Sequence, residues 1–291
     1  MKRLARSGVF AAVLLGVWSV VFLGATAQDR PSAAKPPCTG CSVDGKTTPR
    51  LPDGHPSLNG FWQNAQLGGS VSTSADGSVV FNLQRRRGRI CDEDSCQQPN
   101  QPPYKPAYAA KVKEIGDSQS RGTSLLDPQF ACKPLGVPRG GTGTMQIVQT
   151  PEMVAILYEE GPGPIWRLIY TDGRSHPKNL DTSYLGHSIG HWEGDTLVVD
   201  VIGLNEETWL GGGLPGDQKY TSIHSDQEHV IERWTRTGDT IAYEATVEDP
   251  VMFTRPWVMT PRQIKIAAPS DEILEGLCVP DDRIRPDKLG K

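Results

Sequence analysis

In the second half of the chain, short strand-prone runs bounded by turn residues follow one another, and one of them alternates apolar and polar residues every two positions. In the run 240–247, Ile241, Tyr243, Ala245 and Val247 are apolar or amphipathic. Thr240, Glu244 and Thr246 between them are polar, with Ala242 the exception. A period of two puts alternate side chains on opposite faces, so this run predicts a half-buried antiparallel strand. Strand-prone runs bounded by turn signals also predict strands at 145–149 and 153–158, joined across Thr150-Pro151-Glu152, and at 165–171, which stops at Asp172-Gly173. Two more hairpins, 187–193 with 196–201 and 227–236 with 240–247, turn at Gly194-Asp195 and Gly238-Asp239. Both use one device: a Trp-bearing strand ends, Gly supplies positive φ, Asp bonds its own backbone, and Thr plus an aliphatic residue start the return. A last strand is expected at 262–266, and ordered structure begins at Gly60-Phe61-Trp62. Between about 92 and 143 the many Gly and Pro residues predict an irregular insertion, with one short helix at 108–115. About eight to ten strands with almost no helix make a mainly β fold, an antiparallel meander closing into a β-barrel because closure removes exposed edges. A β-sandwich is the alternative. Residues 57–291 form one β-rich domain on either reading.

The start of the chain sets the compartment. Lys2, Arg3 and Arg6 precede an apolar run, and Ala25-Thr26-Ala27 offers small residues to signal peptidase. This predicts a signal peptide over 1–27 and an exported protein, periplasmic or extracellular. The run falls short of the roughly 20 residues of a spanning helix, so no stable membrane anchor is expected after cleavage. Residues 28–56 are rich in Pro, Lys and Ser without an apolar period and read as a loose leader. Six cysteines in an exported chain read as a disulfide set. Cys91 with Cys96 and Cys132 with Cys278 are candidate pairs. Cys38-Thr39-Gly40-Cys41 has redox or zinc spacing, but neither a helix pattern nor a second such motif follows it. A net charge of −4 and a pI near 5.9 argue against a nucleic-acid binder. The one basic run, Arg85-Arg86-Arg87-Gly88-Arg89, has no interleaved aromatics for stacking on bases and reads as a solvated loop.

Five of the six histidines fall between His176 and His229, among acids and tryptophans. His187 and His191 share a strand face with Glu193, but a regular strand sets them about 13 Å apart, too far to share one metal ion. On the later strand, His229 and Arg233 share one face while Glu232 and Trp234 share the other. A slip of one residue swaps the faces, so either the histidines or Trp192, Trp234, Ser188 and Glu232 line the interior. His176 and His224 fall in loops beside Arg174 and Ser225, where ligand contacts gather at a barrel mouth. His224-Ser225-Asp226 holds the residue types of a hydrolase triad, but consecutive residues cannot adopt its geometry. We therefore expect His176, His224 and Glu232 to move protons. Arg174, His187, His191, Trp192, Trp209, Ser225, His229, Arg233 and Trp257 are expected to contact a small-molecule ligand. The sequence has no glycine-rich nucleotide loop, haem motif or paired metal motif, so no cofactor or metal is expected.

Several blocks together carry a resemblance. They are Asp127-Pro128 with Cys132-Lys133-Pro134 and Gly136-Val137-Pro138-Arg139, then Asp172-Gly173-Arg174-Ser175-His176-Pro177, the stretches 186–200 and 224–236, and Asp249 through Pro256-Trp257. In these the chain resembles a family of exported bacterial proteins of uncharacterised function, over about half of the mature length. Many members carry a Cys-His-Glu-Gly-Asn segment near the C-terminus. Here that place reads Cys278-Val279-Pro280-Asp281-Asp282, so any role of that His or Glu is missing. Gly60-Phe61-Trp62 is also similar to the Gly-x-Trp of the first strand in lipocalin-like (calycin-type) barrels, which implies that barrel type. The resulting expectation is an exported barrel that holds a small, partly apolar organic molecule and acts on it by acid–base isomerisation, hydration or elimination. A non-catalytic binding protein and a cell-envelope interaction protein are the alternatives.

Overall fold

The structure, a computed structural model, describes residues 38–64, 71–73, 79–81, 102–120, 127–140, 144–160, 163–211, 222–259, 261–268, 271–274 and 278. The segment expected to be a signal peptide and the Cys91 and Cys96 candidate pair lie outside the described residues. The first strand is β1 (Gly60–Asn64), and the short strands β2 (Val71–Thr73) and β3 (Val79–Phe81) pair only with each other. One α-helix is described, α1 (Pro106–Ser120), and it is longer than the segment expected at 108–115. The remaining strands follow: β4 (Met145–Gln149), β5 (Met153–Glu160), β6 (Gly163–Tyr170), β7 (His187–Glu193), β8 (Thr196–Ile202), β9 (His229–Thr237), β10 (Thr240–Glu248), β11 (Trp257–Val258) and β12 (Arg262–Ile266).

The sheet closes on itself. In the order β10-β12-β1-β4-β5-β6-β7-β8-β9, each strand bonds the next, and β9 returns to β10 along its whole length, from Thr237↔Thr240 to His229↔Glu248. The result is a nine-stranded barrel, with β11 bonded to the far end of β10. Both Gly-Asp turns form, with φ of +60° at Gly194 and +56° at Gly238. One pair departs from an antiparallel meander: β6 and β7 run parallel, with Tyr170 opposite Ile189. Parallel neighbours need a crossover. The segment 171–186 supplies it, crossing the outside of the barrel before β7 begins.

Alternation decides which side chains meet inside. Trp62, Ile147, Ile156, Arg167, Glu232 and Ile264, from six different strands, are each 0–3 % exposed. Burying one large apolar side chain contributes about 1.5–3 kcal/mol. Trp234 packs edge-on against Tyr243 with ring centroids 4.8 Å apart, a geometry that suits two quadrupolar rings.

The stretch expected as a loose leader is packed against the barrel over residues 38–56. Arg50 clamps Asp195 through two hydrogen bonds of 2.8 and 2.7 Å, and His55 stacks on Trp192 at 4.7 Å. Asp239 accepts from the Ser42 N–H at 2.7 Å, and buried Arg236 donates to the carbonyls of Gly238, Ser57 and Gly40. Polar residues without an apolar period can still be ordered when backbone carbonyls meet buried donors, and a hydropathy pattern does not record that. Cys38 bonds Cys41 and Cys132 bonds Cys278.

Candidate functional site

The closed register settles the two faces of β7 and β9. Ser188, Val230, Glu232 and Trp234 point inward and are buried, while His187, His229, Ile231 and Arg233 point outward. The histidines therefore stand on the outer surface and do not line the barrel.

On that surface the turns and ladders bring distant residues together. Ile189 faces Asp200, Asp200 faces Ile231, and His229 faces Glu248 across three strand pairs. His176 descends from the crossover loop onto this row. Its Nδ1 lies 2.8 Å from Nδ1 of His187, and its Nε2 lies 3.3 Å from Oδ1 of Asp200. The same Asp200 oxygen lies 2.9 Å from Nε2 of His229, whose Nδ1 is 3.1 Å from Oε2 of Glu248. Five titratable side chains thus form one hydrogen-bonded chain, His187–His176–Asp200–His229–Glu248. A carboxylate only accepts, so Asp200 requires a proton on Nε2 of both His176 and His229. While His176 is neutral, its Nε2–H leaves a lone pair on Nδ1, and His187 donates to it from Nδ1. His229 bonds both of its carboxylate neighbours at once only as an imidazolium. Burial, then His176 and Arg174, hold the His187 pKa below the ordinary 6.5. Beside the chain, the Arg174 guanidinium lies 3.8 Å over the Tyr170 ring and is held by Asp172. The half-buried side chains of Ile189, Ile202 and Ile231 supply apolar floor.

The other two residues expected to move protons lie elsewhere. Glu232 is inside the barrel, where Arg167 donates to both of its oxygens at 3.1 and 2.5 Å and Tyr243 donates at 2.8 Å. Arg167 also donates to Ser188 at 2.9 Å. Burial, then Glu232, pushes the Tyr243 hydroxyl well above its usual pKa, so it stays a donor. His224 is buried where the 203–211 and 222–228 segments meet. Its Nε2 lies 2.8 Å from Thr208 Oγ1, and its Nδ1 lies 2.7 Å from Glu228 Oε2. Hydroxyl, imidazole and carboxylate in series resemble a nucleophile relay. All three residues are 2 % exposed, however, and a Cβ at Gly136 would stand 2.7 Å from the Thr208 hydroxyl, so no substrate carbonyl fits there. Burial, with Asp249 adding to it, raises the Glu228 carboxyl against the pull of His224. Burial draws His224 down, and Glu228 more than offsets it, so its net shift is upward. Ser225 donates through N–H and hydroxyl to Asp249 at 2.7 and 2.9 Å.

The remaining expected contact residues scatter. His191, Glu193 and Arg233 form an exposed trio on the outer face. Trp192 lies under His55, and Trp209 and Trp257 are in the core. Residue-type patterns missed Asp200, Glu248, Arg167 and Glu228. Glu248 has a signal, since the Gly238-Asp239 turn fixes it opposite His229.

Among the described residues, no group of three or more His, Cys, Asp or Glu side chains is arranged to hold a metal ion. No helix among them is long and apolar enough to cross a membrane. The two disulfides point to a non-cytoplasmic environment. No family model, no curated protein and no solved structure matches the chain.

Proposed function

We propose that this chain is an exported β-barrel whose outer-face histidine chain binds a small, partly apolar organic molecule and moves protons on it. One observation carries the reading: three histidines from a loop and two strands converge, directly or through Asp200, within hydrogen-bond distance. General acid–base work needs a donor and an acceptor that re-equilibrate after each transfer, and a shared-proton chain open to water provides both. Burial of the inward side chains supports a ligand on the shelf of Ile189 and Ile231 rather than in the interior. Isomerisation, hydration and elimination fit, since each needs proton transfer without a strong external nucleophile. Membership of the exported bacterial family, and release to the periplasm or medium after signal cleavage, belong to the same proposal and rest on the motif blocks and the N-terminal pattern.

The test is deuterium incorporation into a panel of small ketones and β-diketones in D2O, followed by NMR. Exchange above buffer that is lost in Asp200→Asn and His176→Gln supports the reading. Exchange at the buffer rate, or exchange unchanged by both variants, refutes it. A second reading, an interaction module, is favoured by the exposed outer face of β4–β6, where Trp166 is 62 % and Val148 48 % accessible. It predicts no exchange and an assembly that Trp166→Ser disrupts.

A further inference from the structure

Besides Arg174, stacked on Tyr170, the crossover loop has two part-buried pins on the barrel. From 172 to 183 every residue is exposed except His176 and Leu180. Leu180 fits where Gly203 has no side chain, and a Cβ there would stand 2.5 Å from Leu180 Cδ2. That pin is apolar and indifferent to pH. The other pin is ionisable. Past the loop's end the chain is held by backbone, with Ser183 donating to Gly203 and accepting from Asn205 at 2.9 Å each.

We propose that His176 and His187 form a pH-sensitive latch, whose Nδ1–Nδ1 hydrogen bond holds the loop closed until both rings are fully protonated. The proton count makes the case. With both rings neutral, His187 donates to His176, and His176 donates to Asp200. One added proton keeps an N–H pointing at a lone pair between the rings. A second sets two N–H groups face to face at 2.8 Å, and the bond becomes a repulsion. The surrounding charges set the threshold. Arg174 and Tyr170 lie beside His187, Asp172 is paired with Arg174, and Asp200 holds His176 from β8. His229 from β9 and Glu248 from β10 complete the row. Burial, His176 and Arg174 lower the closed-state pKa of His187 from 6.5. The open loop therefore binds more protons between these two values, and acid favours it there. Across that window the open fraction rises by up to about tenfold per pH unit. Opening withdraws His176 and cuts the histidine chain at its second member. That gating role rests on the proposed acid–base site, whereas the latch itself rests on the loop alone.

Hydrogen exchange on the full chain tests the latch, read as protection factors between pH 7.5 and 5.0, with β9–β10 protection reporting the fold. The expected result is that protection in 172–183 falls at least tenfold toward pH 5.0 while β9–β10 holds. His187→Asn puts a non-titrating amide near the Nδ1 position, able to donate or accept, and it should keep the loop protected at both pH values. His176→Ala should leave it unprotected at both. Equal wild-type protection at the two pH values, or a His187→Asn variant that follows the wild-type pH curve, overturns the proposal. Deuterium incorporation into ketones reads only the site, so its failure leaves the latch standing, and loss of pH-dependent protection leaves the site standing.

Discussion

At Glu228 and His229 the chain passes from a sealed histidine–carboxylate cluster to an open one, and both are made of the same residue types. Glu228 turns inward onto His224 with both side chains fully buried, and His229 turns outward onto Asp200 and Glu248 with about a third of its side chain accessible. The inner pair is sealed from solvent, so an unpaired charge there is costly. Every member of the outer chain is at least partly open to solvent. One Thr-His-Glu series is therefore closed to a ligand and one His-Asp series is open to it, and burial makes the difference.

Variants that strip one partner from each cluster should break this comparison most clearly. His224→Ala strands Glu228 and should cost about 3–5 kcal/mol, seen as a lower urea midpoint. That cost should shrink from pH 7.5 to 5.0. Burial already raises the folded Glu228 carboxyl above its unfolded value against the pull of His224; without that pull it rises further, so the folded variant takes up a proton as pH falls and regains stability that it lacks at higher pH. Arg167→Met should cost a similar amount by stranding Glu232, and the double variant Arg167→Met with Glu232→Leu should recover most of it. On the outer face, Asp200→Asn should move stability by under about 1 kcal/mol, because the chain is partly solvated. It should nonetheless lower deuterium incorporation about 100-fold, the scale of one general acid–base group. The smallest effect belongs to His191→Ala, in the exposed trio: under about 0.5 kcal/mol and unchanged exchange.

Much of this was legible in the chain. Strand-prone runs between turn residues located β4–β10 and β12, and the Gly194-Asp195 and Gly238-Asp239 turns fix Ile189 opposite Asp200 and Glu248 opposite His229. The β8–β9 register was not legible, because the chain between Ile202 and His229 is too long to constrain a pairing, and that register delivers His229 to Asp200. Nor was the parallel β6–β7 pair, since the extent of a crossover leaves no periodic trace, yet it carries His176 to His187. His176, His224 and Glu232 share a neighbourhood in sequence and end in three environments, because side-chain direction and burial depend on closure.

The most direct test of the account is the proton placement in the outer chain, read from long-range imidazole 1H–15N spectra at pH 7.5. The account predicts Nε2–H on His176 and His229 and Nδ1–H on His187, with the signals of His176 and His229 both shifting in Asp200→Asn. An Nε2–H tautomer on His187, or His176 and His229 signals unmoved by that substitution, would contradict it.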